Sequence, residues 1–337
     1  MPEKFPTIEP DYIALISLVG DMIYKKIPVK QVPVHEPDLT RLLNIASENK
    51  VLYCASVRLM EHYKDHLRSD IVKHIQRVGK IYQLYVVRLR KTIHIIKKYL
   101  DEYLIFKTEK GYPYITHDVD VLVKDPISSA KILMKVGLKP THWSKYEVYL
   151  LRKDTLGIHL YGGIIWNFRK FADDEFVWDS IEEKNFEIAG TKIKAPSAEC
   201  EFLANIAHIN FETRQIPLGD LLYIFMLMTN VNLEPVVDQA ITHSWSMTLI
   251  RSLAMLNYIH RAIYERPSPL ESKFPYTLDV DVCKMPVVLP KDHIILSIVE
   301  TRIIHKIALS LLGNLHLFLN KRAVQRLMPR LKSILST

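Results

Sequence analysis

A turn-forming segment, Gly111 to His117, leads directly into Asp118-Val119-Asp120-Val121-Leu122-Val123. The β-branched and apolar residues predict the start of a buried strand. Side chains alternate along a strand, so Asp118 and Asp120 share a face. Two carboxylates this close repel one another unless a cation sits between them. Magnesium is the natural cation, a hard ion that takes a few carboxylates plus substrate phosphate oxygens. Such a pair is what a two-metal phosphoryl or nucleotidyl transfer site needs. Surface strands also carry acids without chemistry, and the chain holds a second copy, Asp279-Val280-Asp281. That copy has no glycine turn upstream and is not expected to be functional.

The surroundings of the first pair carry a resemblance. Before it lies Tyr103 to Lys110, which reads as a helix end, a short strand and a turn. After it come Ile158-His159-Leu160, then Pro196-Ser197-Ala198-Glu199 running on to His208, then Leu218-Gly219-Asp220-Leu221-Leu222. In this order and spacing the chain, over roughly residues 35 to 230, resembles a poorly characterised nucleotidyltransferase family of the polymerase-β-like superfamily. Lys107 stands at the family's Lys-Gly position, with Thr108 in place of the glycine. The usual Gly-Ser turn is missing, so the resemblance assigns the triphosphate to Lys107, Thr108, Lys110 and the backbone at Gly111. It makes Asp118 and Asp120 the metal ligands and has His208 and Asp220 support the site. The strand aligned with the third catalytic acid offers His159. Glu147, on the strand-like run Tyr146 to Leu151, and Asp154, in the turn Lys153 to Gly157, are the acids nearest to that role.

The 337 residues suffice for two or three domains or one elaborated core, and 24% charged with 48% hydrophobic residues is ordinary globular composition. The net charge of +8 favours a polyanionic partner or marks a solvated basic surface. Cys54, Cys200 and Cys283 show neither metal-ligand spacing nor a disulfide framework, which points to a reducing, cytoplasmic setting. The longest apolar run, 307–319, contains Asn314 and His316 and is too short to span a bilayer, so no membrane is expected.

Helical periodicity is read over 10–25, after Asp38, over 51–63 and, for much longer, over 69–99. The linker between the first two, 25–33, contains two prolines. The long helix carries Lys73, Arg77, Lys80, Arg88, Arg90, Lys91, Lys97 and Lys98, with no acid from Ile71 to Leu100. A solvated helix usually mixes signs, so a one-signed face points to a phosphate-bearing partner; Arg77 and Arg88 are the candidate RNA contacts. A helix is expected near 127–136, closed by Gly137, then strands near 146–152 and 157–160. The acids from Asp173 to Glu183 read as a solvated helix start. A β-hairpin is expected over 187–194, and helices beyond it over 199–211, 218–229, 235–243, 246–261, 291–319 and 321–335.

The expected fold class is α+β: a small mixed-sheet nucleotidyltransferase-like domain (103–195) flanked by helical N-terminal (1–102) and C-terminal (196–337) regions. The expected function is a metal-dependent nucleotidyltransferase. Asp118 and Asp120 would hold two Mg2+ or Mn2+ ions and Glu147 or Asp154 would add a third carboxylate. The transfer would carry a nucleoside monophosphate from an NTP to an acceptor hydroxyl, on a tRNA-like RNA. The alternative is a catalytically inactive module of the same fold that binds nucleotide or RNA; the missing Gly-Ser and His159 in the third-acid position motivate it.

Overall fold

The computed structural model describes residues 10–24, 39–166, 169–179, 181–213, 215–264, 266–271 and 294–295. The Asp279/Asp281 pair, the 25–33 linker, Asp38 and the helices expected over 291–319 and 321–335 lie outside them. The protein is α+β.

Its helices are α1 (Pro10–Ile23), α2 (Leu39–Glu48), α3 (Leu52–Tyr63), α4 (Ser69–Tyr99), α5 (Pro126–Lys135), α6 (Asp174–Trp178), α7 (Ala198–His208), α8 (Leu218–Met228), α9 (Leu233–Thr242) and α10 (Ser246–Tyr264). The strands are β1 (Leu104–Ile105), β2 (Asp118–Leu122), β3 (Lys139–Trp143), β4 (Glu147–Leu151), β5 (Gly157–Tyr161), β6 (Ile165–Trp166), β7 (Arg169–Lys170), β8 (Ile181–Phe186), β9 (Thr191–Pro196), β10 (Gln215–Ile216) and β11 (Ile294–Ile295).

A five-stranded mixed sheet runs in the order β1-β2-β5-β4-β3. β2 and β5 are parallel, while β1–β2, β5–β4 and β4–β3 are antiparallel. The parallel pair needs a crossover. Helix α5 supplies it, with Asp125 accepting from the amides of Ile127 and Ser128 at its N-terminus and Pro126 in the first turn.

One face of the sheet is dry. Val119, Val121, Val148, Leu150, Ile158 and Leu160 pack onto Ala130 and Leu133 of α5 and onto Leu89, Ile93 and Ile96 of α4. The 31-residue α4 is thus shared: its second half floors the sheet, while Ile71 and Ile75 near its start join Leu39, Leu43 and Leu59 of α2 and α3. Asp70 in its first turn and Lys97 and Lys98 in its last suit the helix dipole. The largest core combines α1, α7, α8 and α10 with Leu104, Phe106, Tyr112, Tyr161 and Trp166, so helices that precede and follow the sheet in sequence meet across its polar face.

The structure departs from the sequence reading at the sheet's edge. Strand β3, which the sequence reading did not name, begins Lys139-Pro140; an outermost strand tolerates the proline, and the register shifts between Pro140 and His142. The hairpin is longer than expected. Its strands are β8 and β9, its turn spans 187–190, and Gly190 takes φ +64° there. Glu182 and Glu183 lie in exposed β8 rather than at a helix start.

Candidate active site

The register of the parallel pair builds the site. Asp118 stands opposite Gly157 and Asp120 opposite His159, all on the polar face of the sheet. The carboxylates of Asp118 and Asp120 and a ring nitrogen of His159 lie within 4.8 Å of one another. They line a cleft of about 540 Å³, together with Lys107, Lys110, Lys50, Tyr149, His208 and Asp220 among others.

Each acid is braced. Thr116 Oγ1 donates to Asp118 Oδ1 at 3.1 Å, and the Tyr149 hydroxyl lies beside the same residue. The Asp120 amide donates to Thr108 Oγ1 at 3.1 Å, and that hydroxyl in turn donates to the Phe106 carbonyl. Burial, and then the charge of Asp120, push the Asp118 carboxyl upward, with His159 acting in the opposite sense. Burial, and then Asp118, push the Tyr149 hydroxyl up to about 12. A cation between the acids would relieve this repulsion. Two carboxylates and an imidazole form a donor set that fits a divalent metal ion.

Lys107 is the other charge at the acid pair. Its Nζ lies 3.3 Å from Asp120 Oδ2 and within 5.4 Å of the ring centroids of Phe106, Tyr161 and Trp166. Burial works against the ammonium, but Asp120 and Glu212 outweigh it and raise its pKa. The residue holds φ at +55°, a left-handed conformation that costs a lysine about 1–3 kcal/mol. Its own amide donates to Glu201 Oε1 at 2.7 Å; Tyr223 and Asn205 hold the same carboxylate, whose pKa burial raises.

Asp220 sits deeper, between Lys110 and Lys50. It forms an ion pair with each, at 3.0 Å to Lys50. Burial alone would raise its carboxyl, but the two ammonium groups hold it well below the ordinary range. Asn49 makes this meeting possible: its side chain and carbonyl accept the amides of Leu218 and Gly219, docking the end of α2 on the start of α8. Gly219 permits the approach, since a Cβ there would press against Tyr112, Val51 and the Asn49 carbonyl.

The structure therefore gathers Asp118, Asp120, His159, Lys107, Lys110, His208 and Asp220 into one cleft. His208 and Asp220 do not bond one another. His208 Nδ1 pairs with Glu212 Oε2 at 2.8 Å, and burial, followed by Lys107, lowers its pKa.

Several expectations need correction. Glu147 does not meet the acid pair as a third carboxylate. Its oxygens lie 2.9 Å from His142 Nε2 and 3.2 Å from His159 Nε2; burial would raise its pKa, but these two contacts hold it far down. Asp154 is on an exposed turn, paired with Arg152 and Lys91. Thr108 spends its hydroxyl on the backbone of the acid strand. Gly111, at φ +68°, has its amide taken by Glu109. The expected RNA contacts Arg77 and Arg88 need no such correction: they are exposed on α4, outside the cleft lining.

Lys50, Thr116, Tyr149, Tyr161, Asn205 and Glu212 line the cleft without having been singled out in the sequence. Tyr149 was within reach, because strand alternation from Glu147 puts it on the same face. Lys50 carries no such signal; only the docking of α2 on α8 brings it in.

No family model matches the sequence, and no curated protein matches it. Among solved structures, the chain is similar to the antibiotic-resistance factor ANT(2'')-Ia, with 15% identity and a TM-score of 0.36, over 51% of this chain and 96% of that one. Among the described residues, no helix is long and apolar enough to cross a membrane.

Proposed function

We propose that this protein transfers a nucleoside monophosphate from an NTP to an acceptor hydroxyl. The observation that carries the reading is the convergence of Asp118, Asp120 and His159 within 4.8 Å, in a cleft that also holds three lysines. Asp118, Asp120 and His159 would hold a divalent ion, which would supply charge to the reacting phosphate and acidify the attacking hydroxyl. Lys107, fixed beside Asp120, would place an ammonium against the oxygens of the transferred phosphate. Lys110 and Lys50, already paired with Asp220, would meet the outer phosphates as a rigid two-lysine wall. One carboxylate between two ammonium groups leaves a net positive charge facing the cleft. Thr116 keeps Asp118 from turning away.

The acceptor is proposed to be RNA. Support comes from the exposed basic face of α4, which carries Lys73, Arg77, Lys80 and Arg88 outside the cleft. That face would track a phosphate backbone while the RNA end enters the cleft.

One observation favours a second reading, an inactive nucleotide- or RNA-binding module. The third position opposite the acid pair is held by a histidine that Tyr161 and Glu147 already engage. The test is label transfer from each α-labelled NTP to total RNA, comparing wild type with Asp118→Ala/Asp120→Ala. Transfer lost in the double variant is the expected result. Transfer unaffected by it overturns the proposal, and nucleotide binding without any transfer supports the inactive module.

A further inference from the structure

His159 presents its two ring nitrogens to different partners. Nε2 lies 3.2 Å from Glu147 Oε2, and the other Glu147 oxygen is held by His142. An ionised carboxylate only accepts hydrogen bonds, so Glu147 fixes the proton on Nε2 and leaves Nδ1 as the lone-pair side. Carboxylates play this part behind metal-binding histidines, orienting the ring and strengthening the donor nitrogen. Nδ1 faces the acid pair, 3.9 Å from Asp120 Oδ1, and carries the Tyr161 hydroxyl at 2.7 Å. That hydroxyl is the group an incoming ion would displace.

The two oxygens of Asp120 are also divided. Oδ1 turns toward His159, and Oδ2 faces Lys107 Nζ at 3.3 Å. Lys107 is buried among three aromatic rings and tethered through its amide to Glu201. The outer side of Asp120 thus already has its positive charge.

We propose that the cleft holds one divalent ion, not two, and that it prefers a first-row transition ion such as Mn2+ to Mg2+. The ligands are Asp118, Asp120 Oδ1 and His159 Nδ1, and the Lys107 ammonium serves the outer oxygen in place of a second metal. The preference follows from the donor set, since imidazole suits transition ions while Mg2+ favours oxygen ligands and keeps its waters. The proposal rests on the transfer reading for the ion's role, though not for its binding.

The experiment uses the full chain without nucleotide. Calorimetric titrations with Mn2+ and Mg2+ give stoichiometry and relative affinity, and pulsed EPR of the Mn2+-bound protein detects coupling to a 14N ligand. The expected result is one ion per chain, Mn2+ bound about tenfold or more tightly than Mg2+, and a 14N coupling. His159→Asp is expected to abolish the coupling and bring the two affinities together. Two ions per chain, equal wild-type affinities, or no 14N coupling in wild type would overturn the proposal. The wild-type measurements need no variant, so a misfolded His159→Asp does not shelter it. Label transfer with two Mg2+ bound per chain would overturn this proposal and leave the transfer reading standing. One nitrogen-bound Mn2+ with no transfer from any triphosphate would support the metal site and remove the transfer reading.

Discussion

Gly157 lies directly across the parallel strand pair from Asp118, and the Tyr149 hydroxyl occupies the space where a Gly157 side chain would stand. A Cβ there would overlap that hydroxyl and approach Asp118 Cβ to 3.3 Å. Gly157→Ala is therefore expected to expel Tyr149 from Asp118. The overpacking costs about 1–3 kcal/mol, readable by urea denaturation. A companion Tyr149→Phe variant should lower transfer with little loss of stability. Equal stability for Gly157→Ala and wild type would count against this account.

Lys107→Met keeps the length and the apolar stem while removing the ammonium beside Asp120. Transfer should fall about a hundredfold or more, the usual cost of deleting one charge-stabilising group at a reacting phosphate or carbonyl. Binding of unreactive NTP analogues should change much less. A variant that loses analogue binding and transfer in equal proportion would show that Lys107 serves ground-state binding instead.

Asp220 gives a pH prediction. Its folded-state pKa is depressed, so its two ion pairs stabilise the protein fully above the unfolded value of about 3.9 and cease to do so as pH falls through the folded value. Asp220→Asn takes the counter-charge from the buried Lys110 ammonium and from the more exposed Lys50 ammonium and should cost about 3 kcal/mol at neutral pH, the low end for breaking a buried pair because Lys50 is open to solvent. The gap between wild type and variant, measured by denaturation, should be constant from pH 7 to 5 and shrink below pH 4. A gap that widens in acid would reverse the assignment.

Arg77→Glu/Arg88→Glu changes only exposed positions on α4. RNA affinity should fall, and the slope of log affinity against log salt should flatten by about 1–2. NTP binding in the cleft should not change. An unaltered salt slope would move the acceptor away from this face.

What could be read from the sequence is what periodicity controls. The span of α4 was legible because an apolar stripe runs its length, and the shared face of Asp118 and Asp120 because strands alternate. Strand β3 was not, because Pro140 mimics a loop and only an edge position makes it tolerable. The roles of Glu147 and Lys50 were hidden for another reason. Glu147 meets His142 and His159 through strand pairing, and Lys50 meets Asp220 across 170 residues of chain. No local pattern encodes such contacts; they arise from packing.

The docking of Asn49 onto the first turn of α8 has a practical consequence. The loop after α2 and the start of α8 together bring Lys50 and Asp220 to the cleft, while the sheet brings Asp118, Asp120 and His159 and α7 brings Asn205 and His208. The cleft cannot be cut out as a short fragment around the two aspartates. A version beginning after α3 would keep both acids yet lack Lys50 and the clamp that seats Asp220, and grafting the sheet alone into another scaffold would transplant the ligands without their counter-charges.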